Sequence, residues 1–145
     1  MCSSDLPTSE QIFIEEASML HDIGVCHVHS PKMACHGKLS YIEHGVAGAD
    51  ILRAENLPQH ALVAERHIGV GLTKTEISKR KLPLPEKDFL PVSLPEQIIA
   101  FADCFFSKRE ATLWQEESIT AIKAELTNFG EEQLKVFAQW EKKFL

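Results

Sequence analysis

The chain of 145 residues has no apolar run approaching the ~20 residues needed to span a bilayer, and no secretory leader opens it. A cytoplasmic protein without membrane contact is the expectation. Its four cysteines, Cys2, Cys26, Cys35 and Cys104, form no CxxC pair and no disulfide framework. That excludes a disulfide-stapled scaffold and fits a reducing compartment. No useful stretch alternates apolar and polar residues with the period of a half-buried strand, and no repeat or low-complexity segment is present. Basic residues are outnumbered, 15 Lys and Arg against 21 Asp and Glu, for a net charge of -6. Such a balance argues against a general nucleic-acid binder, whose phosphate contacts require a basic face.

What is there is ordinary globular material: 44% hydrophobic and 25% charged residues, enough for one core and a single domain. Apolar residues recur at helical spacing. Phe13, Ala17 and Leu20 with Ile12, Met19 and Ile23 predict a helix from about Gln11 to Ile23, closed by Gly24. Residues 25–40 lack period and read as a loop. A second helix is predicted over Tyr41–Glu55, with His44, Ala47, Ile51 and Ala54 on one side. Pro58 opens a third, with His60, Val63 and His67 on one face. Thr73 and Glu76 form a capping box for a short helix through Lys79. Four prolines (Pro83, Pro85, Pro91 and Pro95) forbid a regular helix over 81–95. Ser93 and Pro95 then open an apolar helix that carries Asp103 and Cys104. The tail, Glu116–Leu145, reads as two helices broken near Asn128-Phe129-Gly130, over a core of Trp114, Phe129, Phe137 and Trp140. The fold class is all-α.

Chemistry concentrates in His21-Asp22-Ile23-Gly24. Imidazole and carboxylate both ligate divalent transition metals, and sequence neighbours share one site only at a helix end or turn. Asp103 lies among apolar residues (Ile98-Ile99-Ala100-Phe101-Ala102), where a lone carboxylate is costly and requires a cation. His44 heads and His67 ends an inward-facing apolar stripe. Beside these lie His27, His29, Cys35 and His36, whose spacing fits no zinc knuckle.

With Glu15-Glu16-Ala17-Ser18-Met19-Leu20 ahead of it, His21-Asp22-Ile23-Gly24 resembles the HDIG subgroup of the HD-domain metal-dependent phosphohydrolases. The resemblance covers about residues 11–110. It implies an HD-domain helical bundle: an irregular N-terminus over 1–10, the core over 11–110, and C-terminal helices over 111–145 packed on it. It also implies a metal set of His21, Asp22, His44, His67 and Asp103, suited to one or two ions with Asp22 as the bridge. Mixed donors favour iron, manganese or another transition metal, with magnesium also compatible. Catalysis falls to His21 and Asp22, and phosphate contacts to His36, Lys38, Arg66 and Lys108. The implied function is phosphomonoester or phosphodiester hydrolysis on a small phosphorylated substrate, a nucleotide, in a monomer or an oligomer.

The family's first histidine has no counterpart within residues 1–20. The reading adopted is a chain shortened at its N-terminus. Its alternative is a non-catalytic HD module that binds metal or nucleotide without turnover.

Overall fold

Helical periodicity is realised as seven α-helices among the described residues, joined by turns and one minimal hairpin. The structure is a computed structural model and describes residues 6–108 and 112–145. The helices are α1 (Thr8–Leu20), α2 (His44–Ala54), α3 (Pro58–Arg66), α4 (Lys74–Arg80), α5 (Leu94–Asp103), α6 (Ile119–Thr127) and α7 (Glu131–Phe144). Strands β1 (His29–Ser30) and β2 (Cys35–His36) pair antiparallel, His29 opposite His36. The architecture is therefore helical with one small sheet. Among the described residues no helix is long and apolar enough to cross a membrane.

Local chemistry explains the helix boundaries. α1 starts at Thr8, earlier than the apolar pattern indicates, because the Pro7 carbonyl already accepts from Glu10 N (2.9 Å) and Gln11 N (3.0 Å). Of the irregular segment expected over 1–10, residues 1–5 lie outside the described residues. Both capping boxes form. Thr73 and Glu76 close one, and Ser93 and Glu96 close the other at the start of α5, where Pro95 sits in the first turn. The proline-rich segment is a series of bends and not the extended crossing its prolines suggest, and Phe89 exchanges backbone hydrogen bonds of 3.0 and 2.8 Å with Leu72.

Three expectations are corrected. The loop over 25–40 is ordered by the hairpin, with Gly37 N donating to Val28 O (2.9 Å) and His29 N to Leu39 O (2.8 Å). Trp114 and Phe129 do not enter the tail's core: they are 90% and 40% exposed, while Phe137 and Trp140 are buried. Gly24 is not a left-handed helix stop, since positive φ among glycines is confined to Gly69, Gly71 and Gly130. It lies in a 3-10 turn over Ile23–His27 and is needed for close approach: a Cβ there would meet His44 O at 2.1 Å and Gly48 N at 2.3 Å.

Packing of small residues sets the interhelical distances. Ala49 of α2 and Ala61 and Ala64 of α3 form one buried cluster with Leu52. Gly45 is equally confined, since a Cβ would lie 2.7 Å from Ala64 O. α2 and α3 are thus drawn together where His44 begins one and His67 follows the other. Ala17 of α1 packs with Val63 and Ile99, which carries the end of α1 toward the end of α5. A separate aromatic core, with Phe101, Phe105, Phe137 and Trp140, binds α5, α6 and α7.

Candidate metal centre

These contacts bring His21, Asp22, His44, His67 and Asp103 to one point. His21 Nε2 lies 3.3 Å from both Asp22 Oδ2 and Asp103 Oδ1. Asp22 Oδ1 lies 3.3 Å from His44 Nε2 and 3.3 Å from His67 Nε2. Single donor atoms of His21, Asp22 and His67 all fall within 4.8 Å of one another, the spread of a metal's ligand shell before it closes.

The histidine tautomers are fixed from outside the cluster. His21 Nδ1 faces the Ser18 carbonyl at 2.6 Å, His44 Nδ1 the Tyr41 carbonyl at 2.6 Å, and His67 Nδ1 the Ala64 carbonyl at 2.8 Å. A carbonyl oxygen only accepts, so each Nδ1 carries the proton and donates it. Each ring therefore aims its Nε2 into the cluster, the arrangement that orients histidine toward a metal. His44 Nε2 and His67 Nε2 stand 3.1 Å apart. Both rings are almost fully buried, and Asp22 Oδ1 between them is buried without a hydrogen-bond donor. Two ring nitrogens and a carboxylate oxygen crowded at one buried point are costly unless a cation, a proton or a metal ion, stands among them. The donor set fits a divalent transition metal.

The electrostatics agree. Burial works against ionisation of Asp22, yet the three imidazoles and Lys108 outweigh it and hold the carboxyl far below the usual range. Asp103 is lowered in the same way, against burial, by His21 first and then by Lys108. Burial also opposes protonation of His21, but hydrogen bonds to Asp103 and Asp22 prevail and raise it to about 10. His67 is lowered, chiefly by its burial, which favours its neutral form.

Among the residues expected to touch phosphate, only Lys108 reaches the centre, with Nζ 3.0 Å from Asp22 Oδ2 and 3.6 Å from Asp103 Oδ1. Arg66 is taken by Glu96, at 3.0 Å, the acid that also caps α5. His36 and Lys38 are exposed on the hairpin and do not line the cavity of about 330 Å³ beside the centre. That cavity is walled by Tyr41, Arg80, Lys108 and Phe129, with the Arg80 guanidinium 4.8 Å over the Phe129 ring. The reading of the sequence missed Tyr41 and Arg80. It also missed the Ser18, Tyr41 and Ala64 carbonyls, each three residues before its histidine, a spacing that any helical turn supplies.

Known proteins place the chain in an unexpected setting. Over 86 residues it is 48% identical to an uncharacterized protein of Methanocaldococcus jannaschii, covering 59% of this chain and 43% of that one. The tRNA (cytidine(56)-2'-O)-methyltransferase of Picrophilus torridus is 34% identical over 104 residues, which is 71% of this chain and 27% of the enzyme. Its namesake in Thermoplasma volcanium is 35% identical over 95 residues, 65% of this chain and 24% of the enzyme. The chain thus spans less than half the length of the curated relatives it matches. No protein-family model matches it, and no solved structure does.

These findings correct the identification drawn from His21-Asp22-Ile23-Gly24. Two of these relatives are named tRNA methyltransferases, so the HD-domain phosphohydrolase assignment, its hydrolytic function and its non-catalytic HD alternative do not stand. A ligand motif defines what a site can hold, not the reaction it serves. The small nucleotide substrate and the exclusion of nucleic acid fall with them, since the named substrate of those enzymes is tRNA. Net charge sums over the chain, whereas recognition depends on local charge.

Proposed function

We propose that this chain is the divalent-metal-binding part of a tRNA-modifying enzyme, and that its centre holds an RNA phosphate. The observation that carries the reading is the pair of buried Nε2 atoms of His44 and His67, 3.1 Å apart and each held by a backbone carbonyl behind it. His21, Asp22 and His67 would hold one ion, with His44 and Asp103 at its edge available for that ion or a second. Imidazole-rich donors favour iron, manganese or another transition metal over magnesium. Bound there, the ion supplies concentrated positive charge to a phosphate oxygen.

The chain's own residues do the rest. Backbone carbonyls keep the histidines in the ligating tautomer, and Asp22 stays ionised throughout the physiological range. Tyr41 lines the adjoining cavity with Phe129, whose ring already carries the Arg80 guanidinium, and Arg80 and Lys108 offer cations. Aromatic faces with guanidinium and ammonium groups suit an unstacked RNA nucleotide and its phosphate. The region shared with the tRNA methyltransferases supports tRNA as the ligand. None of these residues is assigned to methyl transfer itself.

Elemental analysis and tRNA binding by fluorescence anisotropy test the reading together. Protein purified without chelator should carry a transition metal, and chelation should weaken tRNA binding by about tenfold, roughly 1.4 kcal/mol. Asp22→Ala and His67→Ala should lose both metal and the metal-dependent part of tRNA binding. Equal tRNA affinity with and without metal, or full metal retention in both variants, overturns the proposal.

A further inference from the structure

Lys108 occupies an unusual position. Its ammonium reaches the same two oxygens that His21 reaches, Asp22 Oδ2 at 3.0 Å and Asp103 Oδ1 at 3.6 Å, where His21 Nε2 lies 3.3 Å from each. Those oxygens belong to the residues that would ligate a metal. An ammonium and a divalent cation compete for them, because like charges held against the same partly buried oxygens repel. Lys108 also lines the cavity that opens beside the centre, so a path away from the carboxylates exists on its own side chain. The cavity wall holds Arg80 and the rings of Tyr41 and Phe129, an environment that accepts an anion better than a second bare cation.

We propose that Lys108 is a displaceable counter-ion. It neutralises Asp22 and Asp103 in the metal-free protein, and an incoming divalent cation expels it into the cavity, where it pairs with a bound phosphate. Metal and phosphate binding are then coupled: the metal releases the lysine, and the phosphate gives the lysine its next partner. A permanent ion pair would keep Asp22 Oδ2 and Asp103 Oδ1, the two oxygens beside His21, from any metal. The proposal rests on the metal reading above and adds a specific exchange to it.

Lysine acetylation followed by mass spectrometry reads the exchange directly. It is run on full-length protein during a manganese titration, with metal uptake followed by calorimetry in the same samples. Lys108 should label slowly after chelation, about tenfold faster at manganese saturation, and slowly again when inorganic phosphate is added to the manganese form. Lys108→Met, which keeps length and removes charge, should bind manganese about tenfold more tightly while its metal-free form melts at lower temperature. Should that variant not fold without metal, the labelling of the natural protein decides. Manganese uptake with unchanged Lys108 labelling overturns the exchange alone. No manganese uptake by the natural protein overturns the metal reading and this one with it.

Discussion

The molecule carries two sets of three histidines, and they differ in everything except residue type. His21, His44 and His67 come from three separate elements and meet around Asp22. His27, His29 and His36 lie within one hairpin and its approach, and all three are exposed. The seventh, His60, packs edge-on to Phe13 and faces Glu16 at 3.4 Å. In the sequence the hairpin set looks the denser candidate. In the structure the dispersed set forms the centre, because each of its rings is anchored through Nδ1 to a carbonyl and walled by packed helices. Density of ligand residues along a chain matters less than whether packing removes their water and fixes their tautomer.

The comparison breaks most visibly on ligand removal. His44→Ala and His67→Ala should each weaken metal binding by more than about 100-fold, beyond the usual effect of changing a residue behind the ligands. Calorimetric titration with manganese or zinc measures it. A loss below about tenfold in both variants would mean that the opposed Nε2 atoms are a packing arrangement and not a metal site.

Protonation provides the next test, in the metal-free protein. His21 has a folded pKa raised to about 10 from an ordinary 6.5, so its contribution to stability is complete below pH 6.5 and is lost as pH rises through about 10. Asp22 and Asp103 have folded values lowered from 3.8, so theirs is present above that pH and is lost on acidification through the folded values. Urea midpoints across pH should fall on both sides of a plateau. A metal must displace the proton from His21, so metal affinity should rise between pH 6.5 and about 10, with proton release detectable in weakly buffered solution. Affinity that stays flat across that window would remove His21 from the ligand set.

Much of this was legible in the sequence, for identifiable reasons. Helix order followed from apolar spacing and from local signals: Pro58 starts α3, and Thr73 with Glu76 and Ser93 with Glu96 cap α4 and α5. The five residues that meet at Asp22 were put forward by the resemblance of His21-Asp22-Ile23-Gly24, and for Asp103 the residues themselves gave a reason, a carboxylate flanked by Ile99 and Phe101. Two things could not be read. One is tertiary pairing: nothing local distinguishes Arg66, taken by Glu96, from Lys108, held at Asp22. The other is purpose. His21-Asp22-Ile23-Gly24 offers metal-ligand side chains, while the setting of this segment lies in the longer proteins that share it.

Two glycines sharpen the contrast at intermediate size. A Cβ on Gly24 would meet His44 O at 2.1 Å, and one on Gly37 would meet His27 O at 2.0 Å. Both Gly→Ala variants should lose roughly 1–3 kcal/mol of stability through overpacking against backbone that cannot yield freely. Only Gly24→Ala moves the turn that sets Asp22 against His44, so metal affinity should fall in that variant and hold in Gly37→Ala. Equal metal affinity in both would show that the centre tolerates displacement of its first turn.

The smallest effects belong to the hairpin histidines. His29 and His36 stand opposite each other across β1 and β2, where an exposed cross-strand pair contributes roughly 0.2–1 kcal/mol. His29→Ala and His36→Ala should therefore shift the urea midpoint by no more than that and leave metal content unchanged. Lys38→Ala, exposed two residues beyond β2, should leave tRNA affinity unchanged at constant ionic strength, because a single solvated charge outside the cavity is screened within about 8–10 Å. Loss of metal in either histidine variant, or a severalfold loss of tRNA binding in the lysine variant, would extend the functional surface from the buried centre across the hairpin. The difference between the two histidine sets would then be one of affinity and not of kind.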